Sequence, residues 1–354
     1  PHLATTSFTP GAPGFADGTY CWRVEARDRA GNSSLSAPFT FTVDTSAPTV
    51  TNVTSTTPNG TYGVGETVVV RVGFSEPVLV TGTPQLALNT SATVNYTSGS
   101  GTNTLTFTYT VGAGQNSADL DYTTATSLTL NGGTIKDAAG NNANLALPAP
   151  GAAGSLGANK DIVIDTTAPT VTCRPTSTFL LGSIGNQVSA TVTDPGGSGA
   201  VNSPVQAAAP ATNAGAHSAS VTGTDKAGNT TTVSCPYVVG YKFGGFISPL
   251  PKSSVNSGSN LPIKFQLQNA AGQPISDTEA QSLVTGTCKI AIILVKPAGA
   301  VSGCPTYSTT LKQFQFNLKT TNAMMGGPPN GVSITVTIGG TIVTTTAVDS
   351  FTVK

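Results

Sequence analysis

The run TLTFTYTV, at residues 104–111, decides how the rest of the sequence is interpreted. Leu105, Phe107, Tyr109 and Val111 occupy alternate positions in it, with threonines between them. Because successive side chains of a strand point to opposite faces of a sheet, the run predicts a strand with one apolar and one polar face. Such a strand belongs to a sheet that buries one side against a second layer.

Similar short runs surround this one and are separated by turns rich in Gly and Asn. The predicted strands of this region are residues 67–74, 84–88, 92–97, 104–111, 127–130 and 160–164. Thr and Val, which dominate these runs, pack well on a pleated surface. Many short strands between turns predict a two-sheet β-sandwich.

The length, charge and cysteine content of the chain narrow the class of protein further. A chain of 354 residues is expected to form about two to four domains. Only 9% of residues are charged, and Lys+Arg equals Asp+Glu at 16 each, so no basic surface for nucleic acid or anionic lipid is expected. The chain contains no run of about eighteen apolar residues, so no membrane insertion is expected. Five cysteines without a C-x-x-C pair favour disulfides in an exported protein over a zinc site.

Two nearly identical linkers divide the chain. The first linker (44–48) opens DTSAPTVTNV and the second (165–169) opens DTTAPTVTCR. Each follows an alternating run, and its proline suits a strand's first residue or an edge. The pattern predicts all-β modules arranged as beads on a string. The four predicted modules span residues 1–45, 46–166, 167–239 and 240–354.

The second module carries a specific resemblance. The residues that carry it are APTVTNVTSTTPNGTYGVGETVVVRVGFSEPV, SGSGTNTLTFTYTVGAG, SLTLNGGTIKDAAGNNA and ANKDIVIDTTAP. This module resembles the bacterial immunoglobulin-like (Ig-like) domains found in tandem in large surface proteins. The resemblance implies an Ig-like β-sandwich with a role that is mostly that of a scaffold.

The third module carries APTVTCRP near its start and TGTDKAGNTTTVSCPYVV at its end. It resembles the hyalin-repeat type of Ig-like module, which has one cysteine in the first strand and one in the last. Cys173 and Cys235 fall in those places, so the resemblance implies a disulfide between them. The Asp-Asn pair common in the middle of that type is replaced by TDPGGSGA at residues 193–200.

The fourth module contains LPIKFQLQNAAGQPIS, in which Pro262, Lys264 and Phe265 resemble the Pro-x-Lys-Phe domain of exported bacterial proteins. Cys288 and Cys304 lie in this module and are expected to form a second disulfide, which leaves Cys21 outside both pairs. Ser276 and Glu279 have the spacing of a capping box and predict one short helix.

The first module is expected to be incomplete. GTYCWRVEARD (residues 18–28) and APFTFTVD (residues 37–44) resemble the final two strands of an Ig- or fibronectin-like sandwich. Two strands cannot bury a core alone, so Tyr20 and Trp22 are expected to become core once other strands cover them. Those strands come either from an upstream part of the same chain or from a neighbouring subunit. In the second case, the C-terminal run VDSFTVK (residues 348–354) is a candidate donor.

Three Asp-x-Ala-Gly-Asn turns recur, called here the first (28–32), second (137–141) and third (225–229) turn. One interpretation is geometric, because Asp caps backbone amides and Gly takes a positive φ. The other is calcium, a hard cation that prefers oxygen ligands, bound where linker carboxylates meet the turns. Both remain open from the sequence. The calcium candidates are Asp28, Asp44, Glu76, Asp137, Asp165 and Asp225.

No catalytic residues and no other cofactor are expected, since neither histidine has an acidic neighbour in sequence and no phosphate-binding loop is present. The sequence therefore predicts a non-catalytic extracellular segment of a bacterial surface protein: a stalk, a fibre, an adhesin arm or a filament subunit. The alternatives are an accessory tail of an exported hydrolase and a carbohydrate-binding module. The expected partners are other copies of the chain or upstream domains, with a surface glycan or protein as the ligand to be tested.

Overall fold

The protein is described from a computed structural model that covers residues 14–250, 254–294, 299–301, 303–321, 332–338, 341–342 and 349–353. The chain forms two compact units. The first comprises Pro1–Pro169 with two later loops, Asp194–Val201 and Thr224–Thr230, and the second comprises the remaining residues. The four module boundaries expected from the sequence stay predictions.

The described part of the first module contains four short strands. These are β1 (Gly18–Trp22), β2 (Glu25–Arg27), β3 (Ser33–Leu35) and β4 (Phe39–Val43). β1 pairs antiparallel with β4, and β2 with β3. Tyr20 lies opposite Phe41 and Trp22 opposite Phe39, so the rings share one face. Cys21 and Thr40 form a pair on the other, polar face.

The second module is a β-sandwich built mainly on one long strand. Its elements are β5 (Val50–Ser55), β6 (Gly60–Tyr62), β7 (Thr67–Thr81), β8 (Gln85–Ala87), β9 (Thr93–Ser98), β10 (Thr102–Thr110), β11 (Leu128–Thr129), β12 (Thr134–Lys136), α1 (Leu156–Asn159) and β13 (Ile162–Ile164). The main sheet has the order β11-β8-β9-β10-β7-β12, with β5 also on β7, while β13 pairs with β6 in parallel.

Strand β7 changes neighbours along its length. Its first half pairs with β5 and β10, and its end, at Leu79–Thr81, pairs with β12. Pro77, which has no N–H to donate to a ladder, lies between these two stretches. Alternate residues of β7 and β10, such as Val70 and Phe107, face each other and are fully buried. The alternation in residues 104–111 is therefore confirmed as a strand with one buried face.

The third module consists of two three-stranded sheets. Its strands are β14 (Thr170–Cys173), β15 (Ser177–Leu180), β16 (Gln187–Thr193), β17 (Val205–Ala208), β18 (Gly215–Thr224) and β19 (Thr230–Gly240). The sheet orders are β14-β16-β17 and β15-β19-β18, with β15 parallel to β19. The expected disulfide between Cys173 and Cys235 is present and joins β14 of one sheet to β19 of the other.

The fourth module has two sheets and one capped helix. Its elements are β20 (Lys242–Ile247), β21 (Ser254–Val255), β22 (Asn260–Gln268), α2 (Asp277–Val284), β23 (Ile290–Leu294), β24 (Gly299–Val301), β25 (Thr306–Ser308), β26 (Gln313–Lys319), β27 (Val332–Ile338), β28 (Thr341–Ile342) and β29 (Asp349–Val353). The sheet orders are β20-β22-β26-β25 and β21-β29-β27-β23-β24, with β28 on β27. Phe265 and Phe314 stack in the core at a centroid distance of 5.2 Å.

Three expectations for this module meet different outcomes. The capping box is confirmed at the start of α2. The Ser276 side chain accepts from the backbone N–H of Glu279, and the Glu279 carboxylate accepts from the backbone N–H of Ser276. The second expected disulfide, Cys288–Cys304, is present.

The C-terminal run, a candidate donor strand, pairs within its own module: β29 pairs with β27 and β21 of its own sheet, so its backbone groups are engaged there. Val348 and Lys354 of that run lie outside the described residues. No described helix has the length and apolarity needed to span a bilayer.

Candidate cation sites at the two linkers

Each Asp-x-Ala-Gly-Asn turn is closed by its own Asp and Asn. In the second turn, Asp137 accepts hydrogen bonds from the backbone N–H of Gly140 (2.6 Å) and Asn141 (2.8 Å), and from the Asn141 side chain (2.7 Å). Gly140 has φ +101°, in the left-handed region that favours glycine. The same side-chain bond measures 2.8 Å in the first turn and 2.9 Å in the third. All three segments are therefore turns, as the geometric interpretation predicted.

Two of the turns also hold a linker. Asn141 donates from Nδ2 to the backbone carbonyl oxygens of Asp44 (3.0 Å) and Ser46 (3.4 Å) in the first linker. In the third turn, the same amide donates to the equivalent carbonyls of the second linker, at 3.0 and 3.3 Å. The asparagine thus binds the linker backbone and not the carboxylate of the linker aspartate.

That carboxylate meets two others. One carboxylate oxygen each of Asp44, Glu76 and Asp137 lies within 4.8 Å of the others, and this group is called the first cluster. The second cluster has the same plan and consists of Asp165, Asp194 and Asp225. Each cluster joins a linker aspartate to a turn aspartate and to a third acid, which lies within β7 in the first cluster and directly after β16 in the second.

In the first cluster, the pKa values of Glu76 and Asp137 are shifted in opposite directions. Burial raises the pKa of Glu76 above its ordinary value, and the negative charges of Asp44 and Asp137 raise it further. For Asp137, burial also raises the pKa, but hydrogen bonds from Asn141 and Gly140 outweigh it and leave the pKa lowered. Glu76 is therefore the acid in this cluster whose ionisation its neighbours oppose, and a bound cation would remove that opposition.

The second cluster is held mainly by backbone donors. Asp165 accepts from the N–H groups of Thr167 (3.0 Å) and Ser198 (2.7 Å), and Asp194 accepts from the N–H of Gly199 (2.7 Å). Burial would raise the pKa of Asp165, but its hydrogen bonds with Ser198 and Thr167 outweigh that effect and lower it.

A close approach positions the third turn. A β-carbon added at Gly63 would lie 2.6 Å from the backbone oxygen of Ala227, inside van der Waals contact. Only a residue without a side chain therefore lets residues 225–229 lie against the end of β6. This fixes the turn aspartate relative to the second linker.

The donor set fits a hard cation. Both clusters offer carboxylate oxygens without sulfur or imidazole, which suits Ca²⁺ better than Zn²⁺. In the described part of the chain, neither cluster has a Lys or Arg within 4.0 Å as an ion-pair partner. Three carboxylates fall short of the six to eight oxygens that Ca²⁺ takes, so backbone carbonyls and water would supply the rest.

The structure sorts the six candidates from the sequence. Five of them lie in the clusters, while Asp28, in the first turn, joins no cluster among the described residues. Asp28 is exposed, and no linker lies against its turn among the described residues.

The sequence prediction missed Asp194, which completes the second cluster. A signal for it existed. Glu76 precedes Pro77 and Asp194 precedes Pro195, and each acid–proline pair follows the residues that pair with the module's first strand: residues 70–74 of β7 in the second module and β16 in the third.

The prediction that Trp22 belongs to a core is not met in the described residues. Trp22 is 50% exposed and stacks on Phe39 at a centroid distance of 5.0 Å. Tyr20 is half-buried against Phe15 and Phe41. The physical reason is that β1 and β4 form a sheet of two strands, with no second layer over the rings in the part described.

The architecture defines a class: tandem all-β modules of the Ig-like sandwich type. Two family models, each described as a bacterial Ig-like domain, match residues 3–45 and 44–150. The chain thus contains tandem bacterial Ig-like domains. No curated protein matches the sequence. Hyalin-repeat and Pro-x-Lys-Phe domains remain resemblances for the third and fourth modules.

Solved structures of similar architecture include fibronectin(III)-like modules of Clostridium thermocellum CbhA, at 14% identity and TM-score 0.22, covering 53% of this chain and 93% of that one. Another is the ICAM-5 D1–D4 ectodomain fragment, at 13% identity and TM-score 0.31, covering 95% of this chain and 84% of that one. At these scores the likeness carries no argument about function.

Proposed function

We propose that this chain is a non-catalytic structural segment of a bacterial surface protein, a stalk, fibre or adhesin arm, whose two linkers are stiffened by calcium. One observation carries the proposal: each linker begins at a carboxylate cluster of the same plan, made from the linker's first aspartate, a turn aspartate and an acid before proline. The two disulfides and the bacterial Ig-like domains support an extracellular location.

A Ca²⁺ ion supplies two positive charges that offset the negative charges of three close carboxylates. Without it, like charges within 4.8 Å repel each other and oppose the approach of the linker to the turn. With it, Asp44, Glu76 and Asp137 hold one ion, while Asp165, Asp194 and Asp225 hold the other. Each ion connects a linker to the module that follows it, and a stiff linker suits a stalk.

The expected partners follow from this role. Upstream domains of the same protein, or other copies of the chain, continue the array, and a surface glycan or protein is bound elsewhere in it. The extracellular calcium concentration suits sites of modest affinity. Such modules bind calcium with dissociation constants of about 10⁻⁴ to 10⁻³ M.

Calorimetric melting in calcium and in chelator tests the proposal. At about one hundred times the dissociation constant, a bound ion stabilises the folded state by about 2.7 kcal/mol per site, so the transitions that include the clusters rise in temperature. Identical melting curves in 10 mM Ca²⁺ and in chelator would remove calcium from the proposal.

Two variants assign the sites, and one variant serves as the control. Glu76→Gln removes a charge from the first cluster, and Asp194→Asn removes one from the second. Each is expected to abolish one of two binding events in isothermal titration. Asp28→Asn changes the same kind of turn outside both clusters, so it should leave both events intact. Loss of binding in Asp28→Asn equal to that in the other two would contradict the assignment.

A further inference from the structure

The first turn has the same hydrogen bonds from its asparagine to its aspartate as the other two, but no linker lies against it among the described residues. Asn32 donates from Nδ2 to Asp28 at 2.8 Å, and the backbone N–H of Asn32 donates to the same carboxylate at 2.9 Å. An amide nitrogen carries two hydrogens. In the second and third turns this nitrogen also binds two linker carbonyls. Among residues 14–250, no linker carbonyl accepts a hydrogen bond from Asn32.

Each of these two turns binds the linker that leads into the module carrying the turn. The first linker, bound by the second turn, leads into β5, the first strand of the module that carries that turn. The second linker, bound by the third turn, leads into β14 of the next module in the same way. A turn of this kind therefore binds the segment that enters its own module.

The last strand of each module shows a second regularity. β13 pairs in parallel with β6, and β19 pairs in parallel with β15. Both partners are short strands that follow the module's first strand. β4 is the last strand before the first linker, and among the described strands it pairs with β1 alone. One edge of β4 therefore has backbone groups free for a parallel partner.

The exposure of the apolar face of β1 and β4 is a third feature that distinguishes the first module. Phe39 is 53% exposed and Trp22 50%. In the third module, where the strand after the turn has both a parallel partner and a facing sheet, its inward residues Cys235, Tyr237 and Val239 are at most 4% exposed. In both modules the last strand comes after the turn, with β3 between them in the first module, and that strand is covered in the third module, where the entering segment is present.

We propose that Asn32 and the free edge of β4 together bind one extended segment: a linker of the Asp-Thr-x-Ala-Pro type with the strands that follow it. The linker carbonyls accept from Asn32, and a short strand pairs in parallel with β4. The inference rests on the proposed role only in treating the modules as a tandem array, and it does not depend on calcium.

A synthetic peptide with the sequence of residues 165–181, carrying Cys173→Ser, tests this assignment. It contains the second linker, β14 and β15, and so offers both binding elements in the native order. Hydrogen exchange of the full chain, followed by mass spectrometry, reports on residues 39–43. At about 1 mM peptide we expect slower exchange in β4 than in the chain alone. Unchanged exchange in β4 at that concentration overturns the proposal.

Variants separate the turn from the edge. Asn32→Ala should weaken peptide binding about fivefold, which is the loss expected for one net hydrogen bond. Asn141→Ala alters a turn that already holds a linker, so it should leave peptide affinity unchanged. A peptide with prolines in place of Thr178 and Leu180 should no longer protect β4. Equal binding by Asn32→Ala overturns the role of the turn, and equal protection by the proline peptide overturns the role of the edge.

Other occupants give other outcomes. If a second copy covers the face, sedimentation shows a dimer, and protection of β4 rises with chain concentration and not with peptide. If a glycan binds there, oligosaccharides shift the fluorescence of Trp22 and the peptide does not. Either result overturns this inference. Neither bears on the calcium titrations of Glu76→Gln and Asp194→Asn, so failure here is distinguishable from failure of the proposed function.

Discussion

Strands β10 and β4 have nearly the same alternation of aromatic residues and threonines, but the aromatic side chains are buried in β10 and exposed in β4. In β10, Phe107 and Tyr109 alternate with threonines and are at most 1% exposed. In β4, Phe39 and Phe41 also alternate with threonines, yet they are 53% and 37% exposed. The sequence period is the same in both, so it determines which side chains share a face and not whether that face is covered.

The difference lies in distant residues. β10 has β7 on one side and β9 on the other, within a sandwich that closes over the ring of Phe107. β4 has only β1. Alternation is a local property, whereas burial requires strands that are far away in sequence. This is why an identical pattern gives a core in one module and an exposed face in the other.

The largest effect that tests this comparison comes from truncating one ring in each strand. Phe107→Ala should destabilise the second module by about 3–5 kcal/mol, since it leaves a cavity in a closed core. Phe41→Ala should change stability by no more than about 0.5 kcal/mol, because its ring is not enclosed. Calorimetry of the full chain measures both.

This pair of variants also shows when the comparison fails. A loss in Phe41→Ala as large as that in Phe107→Ala would mean that the face of β1 and β4 is already covered in solution. Val70, which lies opposite Phe107, offers a matched check within the same core: Val70→Ala should also destabilise the second module, but by less, because it removes fewer atoms.

The two disulfides extend the comparison to modules that supplement packing with a covalent bond. Cys173 and Cys235 are separated by 62 positions, and Cys288 and Cys304 by 16. On the chain-entropy model, closing these loops stabilises by about 4 and about 3 kcal/mol. Cys173→Ser with Cys235→Ser should therefore lower stability more than Cys288→Ser with Cys304→Ser. The calorimetric transitions of the two double variants give the order, and a reversed order would contradict the model.

How far the sequence predicts the fold follows from the same distinction. Alternation predicted β7, β10 and β13, and the capping box predicted α2. The role of residues 349–353 was open, since a strand pattern does not specify its partner. The structure pairs these residues as β29 with β27 of their own sheet.

The candidate site was predictable where its parts repeat. The nearly identical linkers and the recurring turns predicted that linker carboxylates meet the turns, and the structure brings Asp44 near Asp137 and Asp165 near Asp225. Asp194 was missed because it is brought to the second linker by strand pairing, which no local spacing reports. Asp28 was predicted to bind calcium because its turn has the same Asp-x-Ala-Gly-Asn pattern, but a cluster also needs a linker aspartate.

The smallest effect concerns the turns themselves and separates their two roles. Asn141→Ala removes the side-chain bond within its turn and the bonds to Asp44 and Ser46, so a loss of about 1–2 kcal/mol is expected from the hydrogen bonds alone. Asn32→Ala removes only the bond within its turn, whose groups are exposed, and should cost less than about 0.5 kcal/mol. Thermal denaturation of the two variants, with Asn229→Ala as a second linker-bound case, measures the difference. Equal losses at all three asparagines would mean that the turn, and not its hold on the linker, carries the stability. A loss confined to Asn141→Ala and Asn229→Ala would assign that stability to the bond between each turn and the segment that enters its module.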